Sequence, residues 1–483
     1  MFAFPGRGGF ALSLLKRFGR RLDERFPHFV DRISRLIAPV EETVKRPVFG
    51  CHMCGQCVLH STGMTCPMEC PKNLRNGPCG GVGMDGSCEV DRSKTCVWYK
   101  AVDRSAKLPW EDEIYQRNPA VDWKLQGTSS WVNTVTGRDH HERTGRQWQK
   151  VTFHGVDERP LRSGSNFERL LRAGEFVVTC EINPRDSADA TEMLEYAETL
   201  IGVIDAAHVS DNFLASPHMS GTLASCMIEQ LGIETIMHVT CRDRNRIQLQ
   251  ADLLGAHAMG VRNVLCLTGD HTSLGDHEEA KPVFDLDSIN FIRLVRKMRD
   301  EGKFDSGREI TVPPKFLIGG AAAVTAPPLE FRPHRMAKKM AAGVDFIVTQ
   351  LVFDMKMLEG FMTRVHDMGL DEHVHILIGV GALPGPGAAR AINKHTPGVV
   401  IPERVIKRLE GVPKGKRRAE GIKIVVEQIQ QLREMPGISG VDIMDLKPDS
   451  WFPTREIVDA AGLADRPTPP ALKREIAEEE VPM

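Results

Sequence analysis

The sequence predicts an α/β fold, a parallel (β/α)8 TIM barrel preceded by a small cysteine-rich module. Two observations carry this prediction. Short apolar runs alternate with helix-like stretches throughout residues 166–463, and eight of the twelve cysteines fall within residues 51–96. The chain of 483 residues is long enough for two or three structural units and a large core.

Eight short apolar runs are the predicted strands of the barrel. Stretches of helical periodicity, such as Ala190–Ile201 and Arg246–Met259, lie between them. A doubly wound sheet is the alternative, but no Gly-x-Gly-x-x-Gly turn follows the first run, which favours the barrel. The predicted strands are Phe176–Glu181, Val203–Ser210, Glu234–Thr240, Asn263–Thr268, Lys315–Gly320, Phe346–Leu351, His375–Val380 and Val441–Met444.

Composition and charge narrow the class of protein. An apolar content of 41% with 26% charged residues argues against a disordered, collagen-like or membrane protein. The net charge of −2 lacks the cationic excess of nucleic-acid binders, so we expect small-molecule or protein partners. Neither a membrane span nor an export signal is recognisable, which predicts a cytoplasmic, reducing location. Clustered cysteines in such a compartment are metal ligands or redox thiols rather than disulfides.

The pattern changes along the chain divide it into five predicted regions. The basic amphipathic start is expected to pack on the body of the protein, with a membrane surface or a partner as the alternative. The polar stretch after the cysteines is expected to wrap the neighbouring domain, with Trp110, Trp123, Trp131 and Trp148 as anchors. The regions are a helical segment (1–46), the cysteine-rich module (47–100), an irregular linker (101–165), the barrel (166–463) and a mobile tail (464–483).

The cysteine-rich module is too poor in periodic apolar segments to fold on hydrophobic burial alone, and we expect an inorganic staple. Two consecutive Cys-x2-Cys steps, followed by Cys66-Pro67 and Cys70-Pro71, are typical of ferredoxin-like ligation. Eight thiolates suit two [4Fe-4S] clusters, two tetrahedral zinc ions, or one of each. The predicted metal ligands are Cys51, Cys54, Cys57, Cys66, Cys70, Cys79, Cys88 and Cys96.

Active sites of barrels collect at the carboxyl ends of the strands, so the polar residues that end the apolar runs are the candidate site. The alternative is that these residues only cap loops. The candidates are Glu181, Ser210, Asp211, His238, Thr240, Thr268, Gly269, Asp270, Gln350 and Gly379–Gly381.

Four motifs stand in order on successive strands: Cys180-Glu181-Ile182-Asn183-Pro184-Arg185, His238-Val239-Thr240-Cys241-Arg242-Asp243, Leu267-Thr268-Gly269-Asp270, and Lys338–Asp345 leading into Thr349–Asp354. Through these motifs, the region of about residues 165–446 resembles the methylenetetrahydrofolate reductase family. The resemblance implies a barrel that holds FAD non-covalently. It also implies reduction of 5,10-methylenetetrahydrofolate to 5-methyltetrahydrofolate, or the reverse reaction.

The resemblance also implies roles for individual residues. Glu181 matches the family's acid, which protonates the leaving nitrogen of the folate ring, and Gln350 matches its folate-contacting glutamine. Asp270 matches an aspartate that tunes the flavin, and Gly269 allows close backbone approach. Flavin contacts are implied at Ser210, His238 and Thr268, and FAD phosphate contacts at Lys338 and Lys339.

Some positions depart from the family pattern. Ile182 and Asn183 replace aromatic residues, and the stretch Gly319–Pro328 contains no aromatic residue. Thr268 stands where the family has an arginine, and Arg332 and Arg335 replace acidic or amide groups. These changes leave the acid and the glutamine intact and suggest an electron donor other than the family's usual NAD(P)H.

A second resemblance concerns the cysteines. The motif Cys70–Gly81 resembles a cysteine-rich domain that accompanies this reductase in some bacteria and is associated with iron–sulfur clusters that pass electrons to the flavin. The chain would then be a fusion of both parts, with a ferredoxin or another electron-transfer protein as the candidate donor beside NAD(P)H. An oligomer is compatible with the sequence.

Two further hypotheses stay open at this point. In one, the barrel binds methyl-folate, or serves methyl transfer, with a structural zinc module and no redox role. In the other, the chain is an electron-transfer subunit whose barrel has lost catalysis. Flavin content and metal identity separate these hypotheses from a reductase.

Overall fold

The structure is a computed structural model that describes residues 8–139, 160–446 and 453–470. Eight parallel strands pair in chain order and close into a barrel, with β8 pairing β1. The TIM barrel prediction is therefore confirmed, and the predicted strands coincide with the observed ones to within a few residues. The strands are β1 (Val177–Ile182), β2 (Ala206–Val209), β3 (Thr235–Thr240), β4 (Asn263–Leu267), β5 (Leu317–Ala322), β6 (Phe346–Leu351), β7 (His375–Val380) and β8 (Gly440–Ile443).

Helices alternate with the strands and cover the outside of the barrel. The helices are α1 (Gly8–Arg25), α2 (Pro27–Phe49), α3 (Val97–Ser105), α4 (Ser130–Thr136), α5 (Asn166–Arg172), α6 (Thr191–Thr199), α7 (Gly221–Gln230), α8 (Arg246–Ala258), α9 (Ser288–Asp300), α10 (Arg332–Ala342), α11 (Met355–Asp367), α12 (Pro386–His395), α13 (Glu403–Glu410), α14 (Arg417–Glu434) and α15 (Thr454–Ala460). Four of the described helices, α1 to α4, precede the barrel and flank the cysteine-rich module.

The barrel interior is apolar at its amino end and polar at its carboxyl end. Alternate residues of a strand face the same side of a sheet, so each strand sends one set of side chains inward. The inward-facing residues at the amino end of the barrel, such as Val177, Ile236 and Phe346, pack with Phe167 of α5. The ring centroids of Phe167 and Phe346 are 5.4 Å apart in an edge-to-face arrangement. Because α5 closes the amino end of the barrel, polar side chains and any ligand must use the opposite end.

The amino-terminal region contains two helices where the sequence predicted one. Pro27 stands at the first position of α2, where the missing N–H of proline costs no hydrogen bond, so a new helix begins there. Glu41 of α2 is buried and accepts hydrogen bonds from the hydroxyls of Ser129 (2.6 Å) and Ser130 (2.5 Å) at the start of α4. These contacts tie α2 to the predicted linker.

The predicted tryptophan anchors are only half-buried where the structure describes them. Trp123 donates a hydrogen bond from Nε1 to Asp285 of the barrel (2.8 Å), yet its side chain stays 43% exposed. The fully buried tryptophan is Trp98, which donates to the backbone oxygen of Leu74 (2.9 Å) and was not predicted. Trp148 lies outside the described residues.

The first residues of the predicted tail contact the barrel. Arg466 forms an ion pair with Asp205 and donates to the backbone oxygen of Phe176 (3.1 Å). Residues 471–483 lie outside the described part of the chain, and the five-region division stays a prediction. Among the described helices, none has both the length and the apolar character that a membrane crossing requires.

Candidate active site and cysteine-rich module

Glu181 lies near the carboxyl end of β1, where the sequence predicted an acid. Its side chain belongs to the inward-facing set of β1 and is partly buried. Burial, together with the nearby carboxylates of Asp442 and Asp445, raises the pKa of Glu181 to about 8. The carboxyl group is therefore protonated at neutral pH, as a proton donor must be.

Four buried polar side chains form a chain of contacts beside Glu181. Thr179 donates from Oγ1 to Asp442 Oδ1 (3.0 Å), and Asp442 Oδ1 lies 3.8 Å from His208 Nε2. His208 Nδ1 and His238 Nε2 share a hydrogen bond of 2.9 Å. His238 was predicted as a flavin contact, whereas its partner on β2 was not predicted. The structure therefore gives the ring of His238 a protein partner inside the barrel.

The other predicted residues of β2 and β4 have different surroundings. Ser210 is buried, and its hydroxyl has no hydrogen-bond partner among the described residues. Thr268 Oγ1 accepts from the backbone N–H of Ser288 (3.3 Å), so it caps the start of α9. Asp270 directs a carboxylate that is 55% exposed toward the mouth of the barrel. Ser210 thus has an unsatisfied buried hydroxyl and Asp270 an exposed carboxylate, while Thr268 has a structural contact.

Gly269 adopts a positive φ of 89°, which favours glycine. A Cβ at this position would lie 3.0 Å from the Cβ of Thr240 and 3.1 Å from that of Arg242. The left-handed backbone and the close packing against Thr240 and Arg242 therefore both require glycine here.

Gln350 lies on β6, where the register with β7 shifts between Val348 and Leu351. Its Oε1 is buried without a hydrogen-bond partner among the described residues. The cysteine-rich module approaches this side chain so closely that a Cβ on Gly80 would stand 2.6 Å from Gln350 Nε2. The predicted folate-contacting amide therefore has an unsatisfied oxygen and lies against the module.

Lys338 and Lys339 on α10 lie beneath the module, 3% and 4% exposed. Lys338 Nζ lies 3.5 Å from the backbone oxygen of Asn76, and Lys339 Nζ donates to the backbone oxygen of Ala321. Burial, reinforced by the neighbouring Arg335, lowers the pKa of each lysine to about 7. Neither ammonium group is open to a phosphate in this arrangement, so the FAD phosphate contact stays a prediction that the burial of both side chains disfavours.

Lys72 of the module reaches the end of β4, a contact that the sequence did not reveal. Its Nζ donates to the backbone oxygen of Gly269 (2.9 Å), pairs with Glu89 and lies 4.0 Å from Asp270 Oδ1. Burial disfavours the ammonium charge, but Glu89 outweighs it together with Cys79 and Asp270, and the pKa of Lys72 is raised. The module thus supplies a cation beside the predicted flavin-tuning carboxylate.

Replacing Lys72 with methionine is expected to destabilise the protein by about 3–5 kcal/mol, because the buried Glu89 carboxylate loses its counter-charge. The measurement is the midpoint of urea-induced unfolding. Lys94→Met is the matched control, since its ion pair with Asp91 lies on the surface with Lys94 76% exposed, and it should leave the midpoint unchanged. Adding Glu89→Gln to Lys72→Met should recover part of the loss. Equal effects of Lys72→Met and Lys94→Met would contradict the prediction.

The eight cysteines of the module lie around two separate recesses. Four line one recess with Lys45 and Met68, and four line the other with Lys72 and Glu89. Burial raises the pKa of Cys66 to about 11 and that of Cys70 to about 12, so these thiols are neutral at neutral pH. The first cysteine group is Cys51, Cys54, Cys57 and Cys66, and the second cysteine group is Cys70, Cys79, Cys88 and Cys96.

All twelve cysteines are free thiols in the structure. Across residues 8–139, 160–446 and 453–470, no three His, Cys, Asp or Glu side chains are arranged so that they could hold a metal ion. The cysteine-rich module is therefore observed, whereas metal binding by it stays a prediction.

Sequence reasoning missed three residues of this region: His208, Asp442 and Lys72. A signal for the first two exists, because each is an ionisable residue within a short apolar strand, in Ala-Ala-His-Val and Gly-Val-Asp-Ile. Such a residue at an inward position must meet a polar partner. Lys72 carries no comparable signal, since its partners Glu89 and Asp270 lie in other segments of the chain.

The closed parallel barrel, with its polar candidates at the carboxyl ends of the strands, defines the class as a (β/α)8-barrel protein of enzyme type. A family model described as methylenetetrahydrofolate reductase matches residues 166–462, more than half of the chain. The chain therefore belongs to the methylenetetrahydrofolate reductase family of oxidoreductases, which confirms the predicted resemblance. A second model, described as the C-terminal part of methylene-tetrahydrofolate reductase, matches residues 30–124 and so includes the cysteine-rich module.

Curated relatives agree with this assignment at low identity. A probable methylenetetrahydrofolate reductase (NADPH) of Caenorhabditis elegans is 24% identical over 250 residues, 50% of this chain and 34% of the relative. Methylenetetrahydrofolate reductase 2 of Saccharomyces cerevisiae is 26% identical over 240 residues, 47% of this chain and 36% of the relative. The chain thus spans about a third of the length of the relatives it matches.

Solved structures resemble the chain more distantly. An uncharacterized protein from Clostridium thermocellum that binds two copies of 5-methyl-5,6,7,8-tetrahydrofolic acid aligns with a TM-score of 0.43 at 15% identity. The alignment covers 62% of this chain and 98% of that protein. The EDTA monooxygenase EmoA of Chelativorans sp. BNC1 aligns with a TM-score of 0.41 at 11% identity, over 61% of this chain and 95% of that protein.

Proposed function

We propose that this protein catalyses the flavin-dependent reduction of 5,10-methylenetetrahydrofolate to 5-methyltetrahydrofolate, or the reverse reaction, with electrons relayed through the cysteine-rich module. Family membership supports the reaction. The observation that carries the proposal is Glu181, an inward-facing carboxyl group near the end of β1 with a pKa raised to about 8.

The reaction needs an acid of this kind. The five-membered ring of the substrate opens to an iminium ion only after its leaving nitrogen is protonated. Glu181 holds a proton at neutral pH and can donate it to that nitrogen. Gln350, whose Oε1 lacks a partner among the described residues, can accept a hydrogen bond from the pterin, and its amide N–H groups can donate to it.

The residues around the barrel mouth fit the ring of a flavin better than they fit its phosphates. Ser210 offers a buried hydroxyl without a described partner, and Asp270 offers an open carboxylate with Lys72 nearby. A bound flavin would supply the hydride that the iminium carbon takes up. Because Lys338 and Lys339 are buried, we propose that the FAD phosphates are held by other groups unless the module moves.

Each cysteine group offers four thiols around one recess, which is the number and type of ligand that a metal centre takes, although in this structure the described thiols do not stand in ligand geometry. We propose that each group holds a [4Fe-4S] cluster, because four thiolates are its full ligand set, with zinc as the alternative. The second cysteine group adjoins the barrel at two points. Lys72, two residues after Cys70, donates a hydrogen bond to the backbone oxygen of Gly269. Gly80, directly after Cys79, packs against the side chain of Gln350. Electrons from NAD(P)H or a ferredoxin-like protein would therefore enter the barrel from this group.

A second candidate function has one observation in its favour. The burial of Lys338 and Lys339 removes two cations that would hold FAD. A barrel that binds methyl-folate without redox chemistry, or passes it to a methyl-transfer partner, with zinc as a structural staple, agrees with that burial.

Anaerobic purification followed by assays of flavin, iron, sulfide and zinc on one sample separates the two functions. The reductase should contain flavin and iron, and its flavin absorbance should bleach when methyltetrahydrofolate is added to the oxidised protein. Zinc without flavin would support the methyl-folate-binding barrel. Protein with neither flavin nor iron would exclude the proposed reductase.

A further inference from the structure

The buried contacts beside Glu181 connect four neighbouring strands of the barrel, from β8 through β1 and β2 to β3. In the pairing of β1 with β2, Glu181 is directly opposite His208. In the pairing of β1 with β8, Thr179 is directly opposite Asp442. Thr179, His208 and Asp442 are each no more than 1% exposed, so water does not screen the charge of Asp442 from Glu181.

No buried cation offsets Asp442 within this group. His208 Nδ1 and His238 Nε2 are hydrogen-bonded at 2.9 Å, so one ring donates and the other accepts. Burial lowers the pKa of His208 to about 3 and also lowers that of His238, so both stay neutral. Burial raises the pKa of Asp442 to about 7, so Asp442 is largely ionised in the pH range near 8 where Glu181 titrates, and it acts on Glu181 without a compensating positive charge from the two histidines.

We propose that Asp442 is a positioning residue that keeps Glu181 protonated at neutral pH, with Thr179 orienting its carboxylate and the His208–His238 pair keeping its surroundings uncharged. This inference rests on the proposed role of Glu181 as the acid. Among the described residues, Asp445 in the segment after β8 is a second carboxylate that raises the pKa of Glu181, and the Cys180 thiol lies on the outer face of β1.

The first test is the pH dependence of kcat/KM in Asp442→Asn. Wild-type activity needs protonated Glu181, so it is present below pH 8 and is lost as the pH rises through about 8. Removing the like charge should lower the pKa of Glu181 and move this alkaline limb to lower pH by about one unit. The expected loss of activity is therefore larger at pH 8 than at pH 6. An alkaline limb that stays in place would overturn the proposal.

Thr179→Val is a gentler second variant, because valine has nearly the shape of threonine but cannot donate to Asp442. Loss of this hydrogen bond favours neutral Asp442, so the limb should shift in the same direction by a smaller amount. In the Asp442→Asn background, Thr179→Val should cause no further shift. An undiminished shift there would mean that Thr179 acts independently of Asp442, against the proposal.

Infrared titration of the carboxyl groups separates this inference from the proposed reaction. The difference between wild type and Glu181→Gln identifies the Glu181 carboxyl band, whose titration needs no substrate or cofactor. The band should titrate near pH 8 in the wild type and at lower pH in Asp442→Asn. An unshifted band refutes the role of Asp442 even if folate turnover is found, whereas a shifted band without turnover supports Asp442 and refutes the reaction.

Discussion

Replacing Glu181 with glutamine is expected to lower folate turnover by about 10²-fold or more, the size of effect that follows loss of a general acid. Glutamine keeps the size of the side chain but cannot donate a proton to the leaving nitrogen. The flavin should stay bound and should still be reduced by its donor, because the acid acts on the folate. The measurements are steady-state folate turnover and anaerobic reduction of the flavin in the absence of folate.

Glu192→Gln is the matched control for this experiment. Glu192 lies on α6 close to β1 in sequence, but its side chain is 68% exposed and forms a surface ion pair with Arg185 at 2.9 Å. Turnover by Glu192→Gln should equal that of the wild type. If Glu181→Gln kept full turnover, the proton would have to come from another residue. If it lost its flavin instead, Glu181 would be a binding residue.

Replacing Cys79 with serine is expected to remove about half of the bound metal, because the second cysteine group would lose a thiolate while the first cysteine group stays intact. Cys54→Ser should remove the other half, and the double variant should bind almost none. Metal and sulfide assays on anaerobically purified protein measure these losses. Only Cys79→Ser should also slow the reduction of the flavin directly, because its group adjoins Gln350 and Gly269 of the barrel.

Cys226→Ser is the control for the cysteine variants. Cys226 is a buried cysteine of α7 on the barrel, remote in sequence from both cysteine groups, and its replacement should leave the metal content unchanged. A single substitution in either group that emptied both recesses would contradict two independent metal centres. Such a result would indicate one shared centre or a module that unfolds as a whole.

The barrel could be predicted from local patterns because each strand carries its own signal. Runs such as Phe346–Leu351 begin with consecutive apolar residues and are buried on both faces over their first four positions, which is typical of a parallel sheet covered by helices. The helical segment at the start was predicted less well. Its apolar spacing continues past Phe26, but Pro27 begins a second helix, and the packing of Glu41 against Ser129 decides where that helix lies.

The sequence could predict a site residue only where that residue lies near the end of a single recognisable strand. Glu181 and Asp270 stand near the carboxyl ends of their strands, as the sequence indicated, and Gln350 stands near the end of β6. The roles implied for Lys338 and Lys339 depend on what covers α10. Sequence patterns do not contain that information, because Asn76, which lies over Lys338, belongs to a separate module.

The sequence by itself determined the barrel, the cysteine-rich module and the acid on β1, because these depend on periodicity, residue type and spacing within short segments. Only the tertiary structure decided how the parts meet: the cysteines divide into two groups, Lys72 reaches Gly269, and Asp442 and His208 lie beside Glu181. The physical reason is that burial and close charges arise between segments far apart in the chain. They set the pKa of Glu181 and cover the lysines of α10, and no local pattern records them.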